Sequence, residues 1–197
     1  MRTRLYKQVI AGSLSGCVSF ATSRVHAEPQ WSAGVTAGVA GQGEGDKIWA
    51  KTGSHFGLVG HALFGRESNR DAGFGPYAGI SMQGLHEFVA SAGASVLLPV
   101  LETFPIIVSG GACARRADSQ TSPGAEATLL WGTHSYNYHA RYVMSGGLFT
   151  EARRTFGDAG ATTLLFGARA DLGVIALPFF LLAELLAGGS KESAPIK

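Results

Sequence analysis

The chain has 197 residues, 46% hydrophobic, 10% aromatic and 15% charged, which fits one domain and excludes a disordered chain. Glycine fills 28 positions and proline 7 without a collagen period, and each interior glycine costs a helix about 1 kcal/mol, so a strand-rich body is expected over a helix bundle. The formal charge is +2, but Arg2, Arg4, Lys7 and Arg24 precede every acidic residue; removing those four from the 16 basic residues leaves 12 against 14 acidic ones, and no clustered positive face of the kind nucleic acid requires.

Residues 1–27 read as an export signal. Arg2, Arg4 and Lys7 form a basic start, 9–22 is an uncharged and moderately apolar stretch, and Val25-His26-Ala27 offers a cut that makes Glu28 the first mature residue. A second signal competes: Leu14-Ser15-Gly16-Cys17 has the form of a lipobox, with lipidation of Cys17. Cleavage after Ala27 leaves Cys113 as the lone cysteine, so no internal disulfide forms. Its small-residue neighbourhood, 109–114, predicts a buried side chain, not a nucleophile.

Beyond the signal no stretch reaches the roughly 20 apolar residues of a spanning helix. The uncharged runs 29–43 and 88–101 are short and rich in Gly, Ser or Pro, and 172–183 is broken by Pro178 and followed by Glu184. What recurs instead is alternation. Trp31, Ala33, Val35, Ala37 and Val39 alternate with Ser32, Gly34, Thr36 and Gly38; Phe74, Pro76, Ala78, Ile80 and Met82 with Gly75, Tyr77, Gly79, Ser81 and Gln83; Phe88, Ala90, Ala92, Ala94, Val96 and Leu98 with Val89, Ser91, Gly93, Ser95 and Leu97. That is the period of a strand. The second face carries Gly, Ser and Tyr instead of the Lys and Glu that meet water in a soluble sandwich, as crowded positions inside a narrow barrel would.

Turn signals divide the body into eight predicted strands, near 31–41, 55–65, 74–84, 87–99, 104–114, 125–136, 138–150 and 161–171 or beyond. Alternating connections then place the longer charged links 42–54, 115–124 and 151–160 on one face. Two links break that pattern: Leu85-His86 is short where a long loop is expected, and 66–73 is long where a tight turn is expected. Residues 181–186 fit either a short interfacial helix ended by Gly188-Gly189 or an extension of the last strand.

With its signal, its alternating strands and aromatic strand ends such as Trp31, Phe74 and Phe88, the chain resembles the small eight-stranded outer-membrane barrels of Gram-negative bacteria, the OmpA and OmpX type. The resemblance implies an all-β, antiparallel, up-and-down transmembrane barrel over 28–187 with a polar tail at 188–197, exported to the outer membrane of the cell envelope. Outer-membrane lipids are then its partners, with an unidentified extracellular or periplasmic protein as a further one. The carboxyl end departs from the type, in which an aromatic residue often closes the last strand. Here Phe179-Phe180 is followed by 181–197.

A sheet can enter lipid only when closed, because each bare backbone polar group costs several kcal/mol there, and eight strands leave an interior just wide enough for side chains. An Arg facing lipid at the midplane costs about 2–4 kcal/mol, which places Arg141, Arg169 and Asp171 inside, where they are expected to pair. Glu126, Thr128, Gly132, His134 and Tyr136 form a second polar face interrupted by Leu130, and His61, Tyr77, Gln83, Glu87, Ser91 and Ser95 extend the network. No cofactor, metal or catalytic residue is assigned. His134 and Ser135 are consecutive and point to opposite sides of a strand, unlike the alternate His and Ser of lipid A deacylases, and the histidines lack metal-ligand spacing. The expectation is a non-enzymatic envelope protein with a structural or interaction role, its exposed candidate the 42–54 loop with Glu44, Asp46, Lys47 and Lys51. Two alternatives stay open: a secreted or periplasmic soluble barrel for a hydrophobic ligand, and an outer-membrane lipid-modifying hydrolase.

Overall fold

The computed structural model describes residues 28–43, 49–84, 86–118, 120–157 and 160–188; the expected export signal with Cys17, the loop residues Glu44, Asp46 and Lys47, and the tail beyond 188 lie outside them. Eight strands run in sequence: β1 (Gln30–Gly43), β2 (Lys51–Leu63), β3 (Gly73–Gln83), β4 (Glu87–Leu98), β5 (Ile106–Ala117), β6 (Gln120–His134), β7 (Ser145–Thr155) and β8 (Thr162–Asp171). Each pairs antiparallel with the next, and β1 closes on β8, Gly34 lying opposite Asp171 and Gly43 opposite Thr162. The result is a closed up-and-down barrel with no free edge.

The alternation decides which face is which. Ser32, Thr36, His55, His61, Tyr77, Ser95, Ser109 and Glu126 are buried in the lumen, whereas Phe88, Val96 and Phe166 stand on the outer wall with 44%, 44% and 51% of their surface exposed. Among the outward positions of all eight strands the charged residues are Arg116 and Arg154, each one position from the end of its strand. Alanines make up the middle of the wall, where Ala78, Ala92, Ala112 and Ala125 sit side by side in register. Exposed aromatic rings flank it at two levels. Trp31, Phe74, Trp131 and Tyr142 lie toward the end where β1 begins, here called the base, and Trp49, Phe56, Phe88 and Phe156 toward the opposite rim.

Tight curvature is achieved with glycine. Gly93 faces Gly111, Gly132 faces Gly147 and Gly38 faces Gly167 across adjacent strands, and a Cβ added at any of them would strike the partner's backbone. These are the places where the wall bends most closely on itself.

The strand count and phase follow the sequence reading, but the connections do not. At the rim the links are 44–50, 84–86, 118–119 and 156–161, and at the base 64–72, 99–105 and 135–144. The two longest links, 64–72 and 135–144, therefore belong to the base, against the expectation that 42–54, 115–124 and 151–160 are the long ones. The reason is that Thr52–Ser54, Arg115–Ala117, Thr121–Gly124 and Glu151–Thr155 keep the two-residue phase and continue the hydrogen-bonded ladder; charge at a strand end is compatible with a strand when it points inward. β5 turns into β6 through Asp118, whose φ of 46° is the left-handed conformation a two-residue hairpin demands. The seventh strand, expected at 138–150, begins seven residues later and ends five later, because 135–144 folds as a base loop tied to β1 by Trp31 N–H to Arg141 O and Val143 N–H to Trp31 O, both 2.7 Å.

β8 ends at Asp171 and the chain turns directly into α1 (Leu172–Gly188). The helix starts earlier than expected at 181–186, because the ladder with β1 ends at Asp171 and that residue's Oδ1 accepts the Gly173 N–H at 2.7 Å, an N-cap bond. Among the described residues no helix is long and apolar enough to cross a membrane.

Candidate functional site

Polar chemistry in this fold is concentrated in the lumen. Near its middle, Arg153 of β7 lies between two carboxylates: its Nε donates to Glu126 Oε2 at 3.3 Å and its Nη2 to Glu151 Oε1. Tyr77 Oη donates to Glu126 Oε1 at 3.0 Å and Thr128 Oγ1 to Glu151 Oε2 at 3.5 Å. The Arg153 and Glu126 side chains retain 2% of their exposure each. One cation and two acids linking β3, β6 and β7 in this way form a cross-brace, strong because the medium around it is poorly polarisable and vulnerable for the same reason.

Further toward the base, Ser95 Oγ contacts His61 Nδ1 at 3.1 Å and Ser109 Oγ at 2.7 Å, and the His61 ring stacks on Tyr77 with centroids 6.0 Å apart. Thr36 Oγ1 contacts His55 Nε2 at 3.1 Å. A Ser beside a His is the pairing that activates a nucleophile, but Ser95 is 1% exposed and faces no open cleft. Toward the rim, Glu87 takes a bidentate pair from Arg115 at 2.8 and 2.5 Å. A cavity of about 50 Å³, lined among others by Thr36, His55, Tyr77, Glu151, Arg153 and Arg169, leaves room for a few waters. Leu63, Leu97, Ile107, Leu130, Phe149 and Leu165 fill much of the rest of the interior. The lumen is plugged.

Most of the residues singled out from the sequence do converge there: His61, Tyr77, Gln83, Glu126, His134, Arg169 and Asp171 are all buried. Gln83 lies beside His55 and Glu87 in register and its Nε2 has no partner among the described residues. Two expectations are corrected. Arg141 is outside the lumen, in the base loop, where its side chain keeps 64% exposure and makes a bidentate pair with Glu28 at 2.8 and 2.6 Å; that guanidinium holds the Glu28 carboxyl below its ordinary range. It escapes the barrel because β7 begins only at Ser145, so the alternation through 141, 143 and 145 is not strand. Nor do Arg169 and Asp171 pair. Asp171 accepts from Ser145 N–H at 2.9 Å, Tyr142 Oη at 2.9 Å and Gly173 N–H, while Arg169 reaches Ser32 Oγ at 3.4 Å.

The central ion pair was hidden from the sequence reading, since Glu151 and Arg153 fell in an expected loop. The signal was present: Gly147, Phe149, Glu151, Arg153 and Thr155 continue the inward phase of Ser145. Arg115 was hidden likewise. Arg66 carries no signal at all. It belongs to the base link 64–72, yet folds back into the barrel with 1% exposure, its Nη2 donating to His134 O at 3.3 Å and its guanidinium 5.9 Å from the Tyr136 ring. Burial pushes its affinity for the proton down, opposed by Asp71 and Tyr136. Among the described residues no group of three or more His, Cys, Asp or Glu side chains is arranged to hold a metal ion, and Cys113 is a free, buried thiol.

No protein-family model and no curated protein matches the chain. Solved structures similar to it include a de novo designed transmembrane β-barrel, at 14% identity over 72% of this chain and 95% of that one with a TM-score of 0.39. Another is the outer-membrane protein Ail of Yersinia pestis in a phospholipid nanodisc, at 16% identity over 73% of this chain and 100% of that one, TM-score 0.37. The fold assignment itself rests on the closed strand pairing of this chain.

Proposed function

We propose that the protein is an outer-membrane β-barrel of the cell envelope, a non-catalytic scaffold with a plugged lumen whose role is structural or interactive. The observation that carries this reading is the outer wall. From Trp31 at the base to Gly41, against which the Trp49 ring lies at the rim, β1 takes ten steps, about 25 Å of barrel height at ordinary strand rise and tilt. Between those two aromatic levels the outward residues are mainly alanine, glycine and bulky apolar side chains, with Pro76 and Thr150 among them, and the outward arginines, Arg116 and Arg154, stand at the rim. A wall of that height, apolar, charge-free and flanked by aromatic girdles, matches the hydrocarbon band of an outer membrane and greatly exceeds the apolar patches soluble monomers expose. A soluble carrier would have its bulky side chains and its cavity inside.

The 50 Å³ interior cavity favours a plug over a pore. Recognition, on this reading, belongs to the ends of the barrel, and the two longest links, 64–72 and 135–144 at the base, are the better candidates for it. The test is fractionation of the native protein followed by gel mobility. An intact barrel leaves the envelope with detergent and not with salt, and runs faster unheated than boiled; release into the aqueous fraction, or mobility indifferent to heating, overturns the proposal.

A further inference from the structure

At the base of the lumen the charges do not balance. Arg66 is 1% exposed and Arg169 5%, and neither has a carboxylate oxygen within 4 Å among the described residues. Asp71 and Asp171, the acids nearest to them, are occupied: Asp71 Oδ2 accepts from Glu67 N–H at 3.0 Å and Ser68 Oγ at 2.9 Å, and Asp171 holds the three donors described above. The cations are also under-bonded. Arg66 Nε and Nη1 and Arg169 Nε have no partner among the described residues, and neither ring nitrogen of His134 is bonded there; His134 is the residue whose carbonyl Arg66 holds at 3.3 Å, and it pairs across the sheet with Ser145, whose N–H binds Asp171 on the inward face that Arg169 shares. Ser145 Oγ, on the residue opposite His134 in register, is unbonded too.

Space for both side chains is built into the wall. The Arg66 stem lies on Gly73, where a Cβ would come within 2.7 Å of its Cδ, and Arg169 lies across Gly34, where a Cβ would come within 2.5 Å of its Nε. An isolated buried guanidinium is expensive, and two at one end of the same lumen with no bonded acid are more so. The missing element is negative charge.

We propose that the base of the lumen is a binding site for one small free anion of the phosphate or sulfate kind, held by the guanidiniums of Arg66 and Arg169 with His134 and Ser145 as further donors. Guanidinium groups match such oxyanions with paired N–H donors, and a protonated or correctly tautomerised imidazole and a hydroxyl complete the shell. The closed sheet separates the site from the lipid-facing wall, so a dissolved anion and not a headgroup is its occupant. This inference does not depend on the membrane reading, because the site is formed by inward residues and a base loop.

Equilibrium dialysis of the refolded mature chain in a maltoside detergent, with radiolabelled inorganic phosphate at fixed ionic strength, tests it. Saturable binding of about one phosphate per barrel, displaced by sulfate, is expected, with affinity falling about tenfold or more in R66M and in R169M as charge-assisted bonds are lost. Should a variant not refold, the wild-type heat-modification midpoint still reports the site: it rises with phosphate at constant ionic strength if the native barrel binds the ion. No saturable binding across the millimolar range with a midpoint indifferent to phosphate, or binding undiminished in both variants, overturns the proposal.

Discussion

Replacing Arg153 by Met probes the cross-brace directly. The substitution removes the only cation bonded to Glu126 and Glu151 among the described residues and leaves those carboxylates buried, with Tyr77 and Thr128 as their remaining side-chain donors there. Breaking a buried pair by removing one partner costs about 3–5 kcal/mol, because a charge is left without compensation where water cannot reach it. With a urea dependence of about 1–3 kcal/mol per molar, the unfolding midpoint should fall by at least about 1 M, read by tryptophan fluorescence and by the unheated gel band of the refolded protein. The triple variant R153M/E126Q/E151Q removes the orphaned charges while keeping acceptors for Tyr77 and Thr128, and should recover most of the loss, since buried ion networks replaced by neutral groups are often no less stable. A loss under about 1 kcal/mol in R153M, or a triple variant no better than the single one, would refute the argument that these three groups form one dry, interdependent unit.

Three further outcomes are expected. Ala92→Arg, in the middle of the outer wall, should cost about 2–4 kcal/mol in a bilayer but no more than about 0.5 kcal/mol if the wall faced water; unfolding in lipid vesicles distinguishes the two. Gly111→Ala should cost about 1–3 kcal/mol through overpacking against Gly93 and Ala92, while Gly110→Ala, whose added methyl meets nothing closer than Glu126 O at 3.7 Å, should be tolerated, a contrast visible in the same urea titration. The base loop should loosen in acid. Asp71 is held below its ordinary range chiefly by the Glu67 N–H and the Ser68 hydroxyl, so its contribution is full above the unfolded carboxylate value and is lost as pH falls through the lower folded one; amide exchange at Glu67 should accelerate over that window, and D71N should remove the pH dependence.

How much of this was readable in advance depends on which force fixes each feature. Inside versus outside was readable, because period-two alternation survives in a single sequence wherever the two faces of a strand differ in polarity along its whole length; Trp31, Phe74 and Phe88 announced it. The strand ends were less so. Glu151, Arg153 and Arg115 look like loop residues locally, and they become strand residues only because the closed lumen offers them partners on strands distant in sequence, Glu126 for one and Glu87 for the other. Connection lengths follow the strand ends, which is why the long links moved from rim to base. Ser95 meets His61 from across 34 positions, and no spacing rule could have joined them. Arg66 is the extreme case: a loop arginine, solvated on any local reading, becomes one of the most deeply buried large side chains because Gly73 leaves a channel for it.

Asp171 ties these threads together. Sequence reasoning paired it with Arg169, two positions earlier on the same face, as electrostatics between isolated side chains would suggest. The barrel makes a different use of the carboxylate. It ties the end of β8 to the start of β7 by accepting the Ser145 N–H, anchors the base loop through Tyr142, and caps α1 through Gly173, where a negative charge is favoured by the helix dipole. Three directional bonds outweigh one ion pair because each satisfies a donor that would otherwise be stranded at the point where strand gives way to helix. The consequence is that Arg169 keeps its charge without an acid of its own. Closing the barrel at Asp171 and leaving an uncompensated cation beside His134 are thus one structural choice, and the anion site at the base follows from the way this chain ends its last strand.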